Sequence, residues 1–263
     1  NNKGEFINAK DGEKLLKIAN SNYSYKYDSK NIGELEFNNQ YIDTHTDLII
    51  NLPLVDADLI RSRNFKVVVD AVNSTGGIAV PNLLNKLGVE VVKLYCDPNG
   101  EFPHNPEPLK ENLTDLSNLV IKEQADFGIV VDPDVDRLAF VSENGEVFGE
   151  EYTLVACADY FLKNKPGITV SNLSSSRALK DITESYGCEY FSSAVGEVNV
   201  VEKMKEKNAV IGGEGNGGII LPELHYGRDA LVGIALFLTH LSKLNISCSD
   251  LRKKYPDYFM SKK

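Results

Sequence analysis

At 263 residues, with 42% hydrophobic and 25% charged side chains, the chain has the make-up of one large globular domain or two of about 100–150 residues each. Its 38 acids against 28 Lys plus Arg, a net charge of -10, argue against nucleic acid as the main partner and leave an anionic substrate needing a local cation. No run approaches the ~20 apolar residues of a membrane helix, and the opening NNKGEFINAKDGEK lacks the apolar core of a signal peptide.

Residues 1–40 are polar and rich in Asn, Lys and Tyr, with one short helix expected over 13–19. They are too few to hold a core and read as the end of something larger. KVVVDAV (66–72) is a β-branched run of strand length, followed by the turn residues NSTGG. IAVPNLLNKLG predicts a helix closed by Gly88, and VEVVKLYC the next strand, which completes a βαβ unit. After the loop DPNGEFPHNPEP, leucines at 109, 113, 116 and 119 predict a helix over 109–124. Strands follow at 127–131 and 138–141, and Asn144-Gly145 predicts a hairpin. An amphipathic helix is expected over 150–162.

The pattern then repeats. GITVSNL predicts a strand, SSSRALKDITESYG a helix closed by Gly187, and CEYFSSA a strand. A helix over 197–207, a strand into GGEGNGG, the strand IIL and a long helix over 229–244 complete the second series. RKKYPDYFMSKK, at the end, reads as a polar linker. The expected fold class is α/β: two consecutive three-layer-type α/β domains with mixed, mostly parallel sheets. The expected domains are 41–149 and 150–255, with 256–263 beginning a linker. Cys96, Cys157, Cys188 and Cys248 form no CxxC and are expected as free thiols in a reducing cytosol.

FGIVVDPDVDRLAFV carries Asp132, Asp134 and Asp136 straight after a strand, where Pro133 blocks further ladder pairing. The carboxyl ends of strands are where α/β sheets bind ligands. Three neighbouring carboxylates repel one another unless a cation neutralises them, and hard oxygen ligands suit Mg²⁺ or Ca²⁺; the alternative is a solvated turn with ordinary acid content. An EF-hand is excluded despite Glu143 at the twelfth position, because Arg137 stands where the tight turn needs glycine and the flanks are strands. Arg137 is open to two readings, a partner for phosphate oxygens or an ion pair to a neighbouring aspartate.

GGEGNGG matches G-x-G-x-x-G formally, but Pro222 and IIL follow where a dinucleotide fingerprint needs a helix. There is no P-loop. Two readings are open here also: a loop that brings Glu214 and Asn216 to paired hydroxyls of a sugar, or a glycine-rich turn with incidental polar residues.

DPDVDR (132–137) resembles the metal loop of the α-D-phosphohexomutases, and GEGNGG (213–218) their sugar-binding loop. GRD (227–229), FPHNPEP (102–108) and VGEVNV (195–200) are similar to further segments of the family in the same order. The resemblance implies an intramolecular phosphotransferase that interconverts hexose or hexosamine 1- and 6-phosphates. It also implies Mg²⁺ on Asp132, Asp134 and Asp136, Arg137 as a catalytic group orienting phosphate, and a sugar held by Glu214 and Asn216 with the backbone of Gly213, Gly215 and Gly217. The family's first domain carries a phosphorylated serine in a motif near Ser-His-Asn-Pro, and its fourth binds the substrate's phosphate. Neither motif occurs here, so the chain is expected to be the second and third domains, inactive by itself and cytoplasmic. The lack of an initiating Met fits that expectation. The alternatives are a stand-alone sugar-phosphate or metal-binding module and, third, a calcium-binding structural protein.

Two positions depart from the family pattern. Asn216 replaces a frequent serine and Gly218 a frequent histidine, which leaves the sugar and the proton-transfer group undetermined. Glu197 reads first as a helix-dipole partner and second as a proton-transfer candidate. His45, His104, His225 and His240 read as surface or core residues.

Overall fold

A computed structural model describes residues 1, 4–24 and 33–258. Helix α1 (Ala9–Ala19) is capped by Asn8, and none of its residues is buried. Two helices that the sequence pattern does not announce follow, α2 (Tyr41–Ile50) and α3 (Ala57–Ser62). Their threonines and β-branched residues are weak helix formers, and packing of Thr46, Ile49 and Ile60 into the interior holds them.

The first sheet contains β1 (Lys66–Asp70), β2 (Glu90–Leu94), β3 (Phe127–Val131) and β4 (Leu138–Ser142) in the order β2-β1-β3-β4. β1 is parallel to β2 and β3, and β4 is antiparallel to β3. Helix α4 (Gly76–Lys86) makes the crossover from β1 to β2, and Gly88 takes φ 70° just past it. The single helix expected over 109–124 is instead a 3-10 turn (Lys110–Asn112) followed by α5 (Thr114–Lys122). The Asn112 side chain donates to the Glu107 carbonyl, a local bond that competes with helix continuation.

The second series has the same layout. It comprises α6 (Glu150–Asn164), β5 (Thr169–Asn172), α7 (Ala178–Ser185), β6 (Tyr190–Ser193), α8 (Glu197–Lys207), β7 (Ile211–Glu214), β8 (Gly218–Ile220), α9 (Ala230–Leu244) and α10 (Cys248–Arg252). Its sheet order is β6-β5-β7-β8, again with a parallel trio and one antiparallel edge. The repeat seen in the sequence is therefore a repeat of topology. Helix α7 starts later than expected because Ser174 and Ser175 donate their hydroxyls to the Asn172 side chain.

Three expectations need correcting. Helix α6 is not amphipathic: it is buried on nearly every face. Asn144-Gly145 forms its turn, but the second arm is reduced to one bridge, Val141 to Val147. The end of the chain is not a free polar linker as far as Tyr258. Tyr255 is buried with its hydroxyl 3.0 Å from Asp159, and the Tyr152 hydroxyl donates to the Pro256 carbonyl. The rest of that segment lies outside the described residues. All four cysteines are free.

One continuous apolar core spans both series. Helix α9 is buried from Ala230 to Ser242, and its Phe237 stacks on Phe140 of β4 at 3.8 Å. Phe127 and Phe148 meet the same ring edge-on. Burying each such ring stabilises the fold by up to about 3 kcal/mol. The packing fixes the carboxyl ends of the two sheets relative to each other. Among the described residues, no helix is long and apolar enough to cross a membrane.

Candidate functional site

The three aspartates are the turn of the β3–β4 hairpin. Asp132 ends the ladder buried, and its Oδ1 accepts from the backbone N–H of Asp136 and Arg137, both at 3.0 Å. The tight turn needs a left-handed residue, and Val135 takes it at φ 62°, a costly conformation for a β-branched side chain. Contacts from outside hold it there. Ser74 and Thr75, in the β1–α4 turn, both donate to the Pro133 carbonyl, and the Ala230 N–H donates to the Val135 carbonyl.

This turn brings one carboxylate oxygen of each aspartate within 4.8 Å of the others. Burial pushes the Asp132 carboxyl up to about 7; bonds from Arg137 oppose this, and the charges of Asp136 and Asp134 add to it. Oδ1 of Asp136 is buried with no hydrogen-bond partner. A hard donor set with an orphaned inner oxygen fits a divalent cation such as Mg²⁺. Arg137 lies alongside, its Nε 3.5 Å from Asp132 and 3.7 Å from Asp136, and its guanidinium pairs with Glu107. Arg137 thus sits among three acids at the edge of the aspartate cluster.

Glu214 ends β7 as Asp132 ends β3. Its buried carboxylate accepts from Asn172 at 2.7 Å and from Arg228 at 2.7 Å, with the Asn216 amide at 3.4 Å. The Gly215 N–H donates to Ser175, and the Gly217 N–H to the Glu214 carbonyl. Gly213 cannot take a side chain, because a Cβ would lie 1.9 Å from the Gly218 carbonyl oxygen. The two loops touch directly. The Leu138 N–H donates to the Gly217 carbonyl, and Arg137 bridges to Gly218 in β fashion.

Arg228 joins everything. It donates to Asp136 at 2.5 Å, to Glu214 at 2.7 Å and to Glu197 at 3.0 Å, and its own N–H also reaches Glu197 at 2.9 Å. Nothing in the residues around GRD singles out this arginine. The available signal was the surplus of acids at strand ends and helix starts, which needs a cation. Each oxygen of Glu197 accepts one bond from Arg228, which orients the guanidinium. A Cβ on Gly218 would lie 2.3 Å from Cδ of Arg228, so a histidine there would require the arginine to move. A cleft of about 470 Å³ opens between the loops, lined by Glu107, Arg137, Glu197, Glu214, Asn216 and Arg228.

His104 supports the Glu107 side of this cleft. One ring nitrogen lies 2.7 Å from the Asn105 carbonyl and the other 3.0 Å from the buried Asp70 carboxylate. Two acceptors favour the imidazolium, and the bond to Asp70 raises its pKa against the opposing effect of burial. The folded value is raised, so the stabilisation is complete below the unfolded value of about 6.5 and is lost as pH rises through the folded one. His104→Gln is therefore expected to cost about 1–2 kcal/mol near pH 6 and distinctly less near pH 9, measured by urea unfolding. A cost independent of pH contradicts the charged pair.

Two α/β units of one topology bring a carboxylate loop and a glycine loop together at one arginine, a set of hard donors beside a cleft lined by polar groups. Residues 39–145 match the family model for phosphoglucomutase/phosphomannomutase alpha/beta/alpha domain II, and residues 149–258 that for domain III. The chain belongs to this α-D-phosphohexomutase family. It is 36% identical over 233 residues to a phosphoglucomutase/phosphomannomutase of Thermococcus kodakarensis, covering 88% of this chain and 50% of that protein. It is 32% identical to a probable phosphoglucosamine mutase of Methanopyrus kandleri, over 86% of this chain and 49% of that protein. A crystal structure of a family protein from Burkholderia thailandensis matches with TM-score 0.68 and 29% identity, over 76% of this chain and 46% of that one. The chain thus spans about half the length of the curated relatives it matches.

Proposed function

We propose that the chain supplies the Mg²⁺-binding and sugar-binding parts of an intramolecular phosphotransferase, an isomerase acting on hexose or hexosamine 1- and 6-phosphates. The observation that carries this reading is the convergence of Asp136, Glu197 and Glu214 on Arg228 at the meeting of the two loops. Asp132, Asp134 and Asp136 would hold Mg²⁺, and the bound ion supplies electrostatic stabilisation to a transferring phosphoryl group. Arg137 stands beside that position and orients phosphate oxygens, exchanging its present pairing with Glu107 for them.

Glu214 keeps acceptor capacity beyond Asn172 and Arg228, since a carboxylate offers about four lone-pair sites. It accepts from one sugar hydroxyl, and the weakly held Asn216 amide donates to the neighbouring one. The loop backbone at Gly213, Gly215 and Gly217 lets the sugar approach closely. The phosphorylated serine and the site for the distal phosphate belong to first and fourth domains of the parent protein, with a bisphosphate as intermediate. We place the protein in the cytoplasm, where sugar phosphates and free thiols coexist.

The reading is tested by calorimetry with Mg²⁺ and by NMR titration with glucose 1,6-bisphosphate. Asp134 is exposed, so Asp134→Asn is expected to fold normally and to weaken Mg²⁺ binding about tenfold or more. Glu214→Gln is expected to weaken the sugar bisphosphate about tenfold. Unchanged affinities in both variants would sink the assignment. The chain by itself is expected to give no turnover of hexose 1-phosphate in the presence of catalytic bisphosphate. A stand-alone binding module is equally silent in that assay but gives no turnover either when full-length domains are restored.

A further inference from the structure

A second cluster of metal-type ligands includes Asp229, the chain neighbour of Arg228, and the phosphohexomutase reading makes no use of it. His45 on α2, His225 in the connection before α9, and Asp229 at the start of α9 converge. Oδ1 of Asp229 caps the helix, accepting from the N–H groups of Leu231 at 2.8 Å and Val232 at 3.2 Å. Oδ2 is left to the two imidazoles, with Nε2 of His45 at 2.7 Å and Nε2 of His225 at 3.1 Å. The ligand atoms lie within 4.8 Å of one another, and the ring centroids are 5.7 Å apart.

We propose that His45, His225 and Asp229 form a binding site for a divalent transition metal of the Zn²⁺ class. The donor chemistry selects the ion. Two imidazole nitrogens and one carboxylate oxygen suit Zn²⁺, Co²⁺ or Ni²⁺, whereas Mg²⁺ takes oxygen. The geometry is close to what such an ion needs. Ligands about 2.0–2.1 Å from a tetrahedral centre stand roughly 3.3 Å from each other. The two observed nitrogen–oxygen separations, 2.7 and 3.1 Å, approach that edge, and small rotations of half-exposed rings supply the rest.

Both rings reach solvent while the carboxylate does not. The His45 and His225 side chains are 32% and 38% exposed, and Asp229 is 6% exposed. An ion can enter from solvent, displace the imidazole protons facing Oδ2, and keep a fourth position for water. The second oxygen of Asp229 stays fixed by the helix start, which sets the carboxylate's orientation as outer-shell bonds do in metal sites. Occupation would clamp α2 to the first turn of α9, one residue from Arg228, and so stiffen the arginine that joins the two loops.

The test uses the full 263-residue chain, stripped of metals and held in excess Mg²⁺ so that oxygen-only sites are filled. It is titrated with Zn²⁺ by calorimetry and with Co²⁺ by visible absorption. One Zn²⁺ per chain and a Co²⁺ ligand-field band are expected, both retained in Asp134→Asn. His45→Ala and His225→Ala should each weaken Zn²⁺ more than about 100-fold, beyond the 10–100-fold cost of losing an outer-shell partner. Proton NMR of the unaltered protein guards against variants that fail to fold. The imidazole signals of His45 and His225 should respond to Zn²⁺ while those of His104 and His240 stay put. Absence of Zn²⁺ binding, binding indifferent to both histidine substitutions, or equal response of all four imidazoles overturns the proposal. In that case the cluster is a hydrogen-bonded His–Asp–His contact only.

Discussion

Arg228→Leu is expected to lower the unfolding free energy by about 3–5 kcal/mol, the range for removing one partner from a buried ionic network. The guanidinium is 12% exposed and faces three carboxylates, Glu197 at 8%, Glu214 at 6% and Asp136 at 16% exposure. Leucine fills the space but leaves those charges facing one another without a cation. An exposed pair would matter little, about 0–1 kcal/mol. Burial and multiplicity make this one different. Arg228→Lys keeps the charge but not the fork, and should retain only part of the stability because one ammonium cannot address three carboxylates in separate directions.

A double-mutant cycle checks the cause. Adding Glu197→Gln to Arg228→Leu removes one of the stranded charges and should recover a measurable part of the loss. Urea unfolding of the four proteins gives the coupling directly. If the two changes simply add, the arginine is not neutralising Glu197 and the network account fails. Sugar-bisphosphate binding should fall with Arg228→Leu as well, since Glu214 loses its 2.7 Å partner.

Arg228 also shows where the sequence stops being legible. Its partners lie 14, 31 and 92 residues away, and no local pattern encodes such a meeting. By contrast, the βαβ units were readable, because runs such as KVVVD and FGIVV carry strand propensity in their own residues. Phe127–Val131 and Glu197–Lys207 fall where the pattern placed them. The aspartates' position at a strand end was readable too. Their hairpin was not, because its left-handed residue is Val135 rather than the glycine or asparagine that announces a tight turn. Helix α2 was hidden for a related reason. YIDTHTDLII has poor intrinsic propensity, and its helicity comes from packing against α4 and α9. Local chemistry wrote the sheets, and long-range contacts wrote the site.

The second large effect is expected at Gly217, where the two loops touch. Gly217 takes φ 89°, and a Cβ there would lie 2.1 Å from the Leu138 carbonyl oxygen and 3.0 Å from its nitrogen. Both obstacles are backbone, so no side chain can swing aside. Gly217→Ala therefore combines a left-handed penalty of about 1–2 kcal/mol with an overpacking penalty of about 1–3 kcal/mol. The expected total is about 2–5 kcal/mol. Gly187 separates the two contributions. It also has positive φ, at 70°, but nothing lies within 4 Å of its Cβ position. Gly187→Ala should carry the conformational cost alone, about 1 kcal/mol. Relief of the clash at 217 must push the glycine loop away from the β3–β4 hairpin. That breaks the bond from the Leu138 N–H to the Gly217 carbonyl and moves Asp136 away from Arg228. Mg²⁺ and sugar-bisphosphate affinities should then fall together in Gly217→Ala and stay unchanged in Gly187→Ala. Equal destabilisation by the two substitutions, or loss of only one affinity at position 217, would show that the loops are not mechanically joined at this contact.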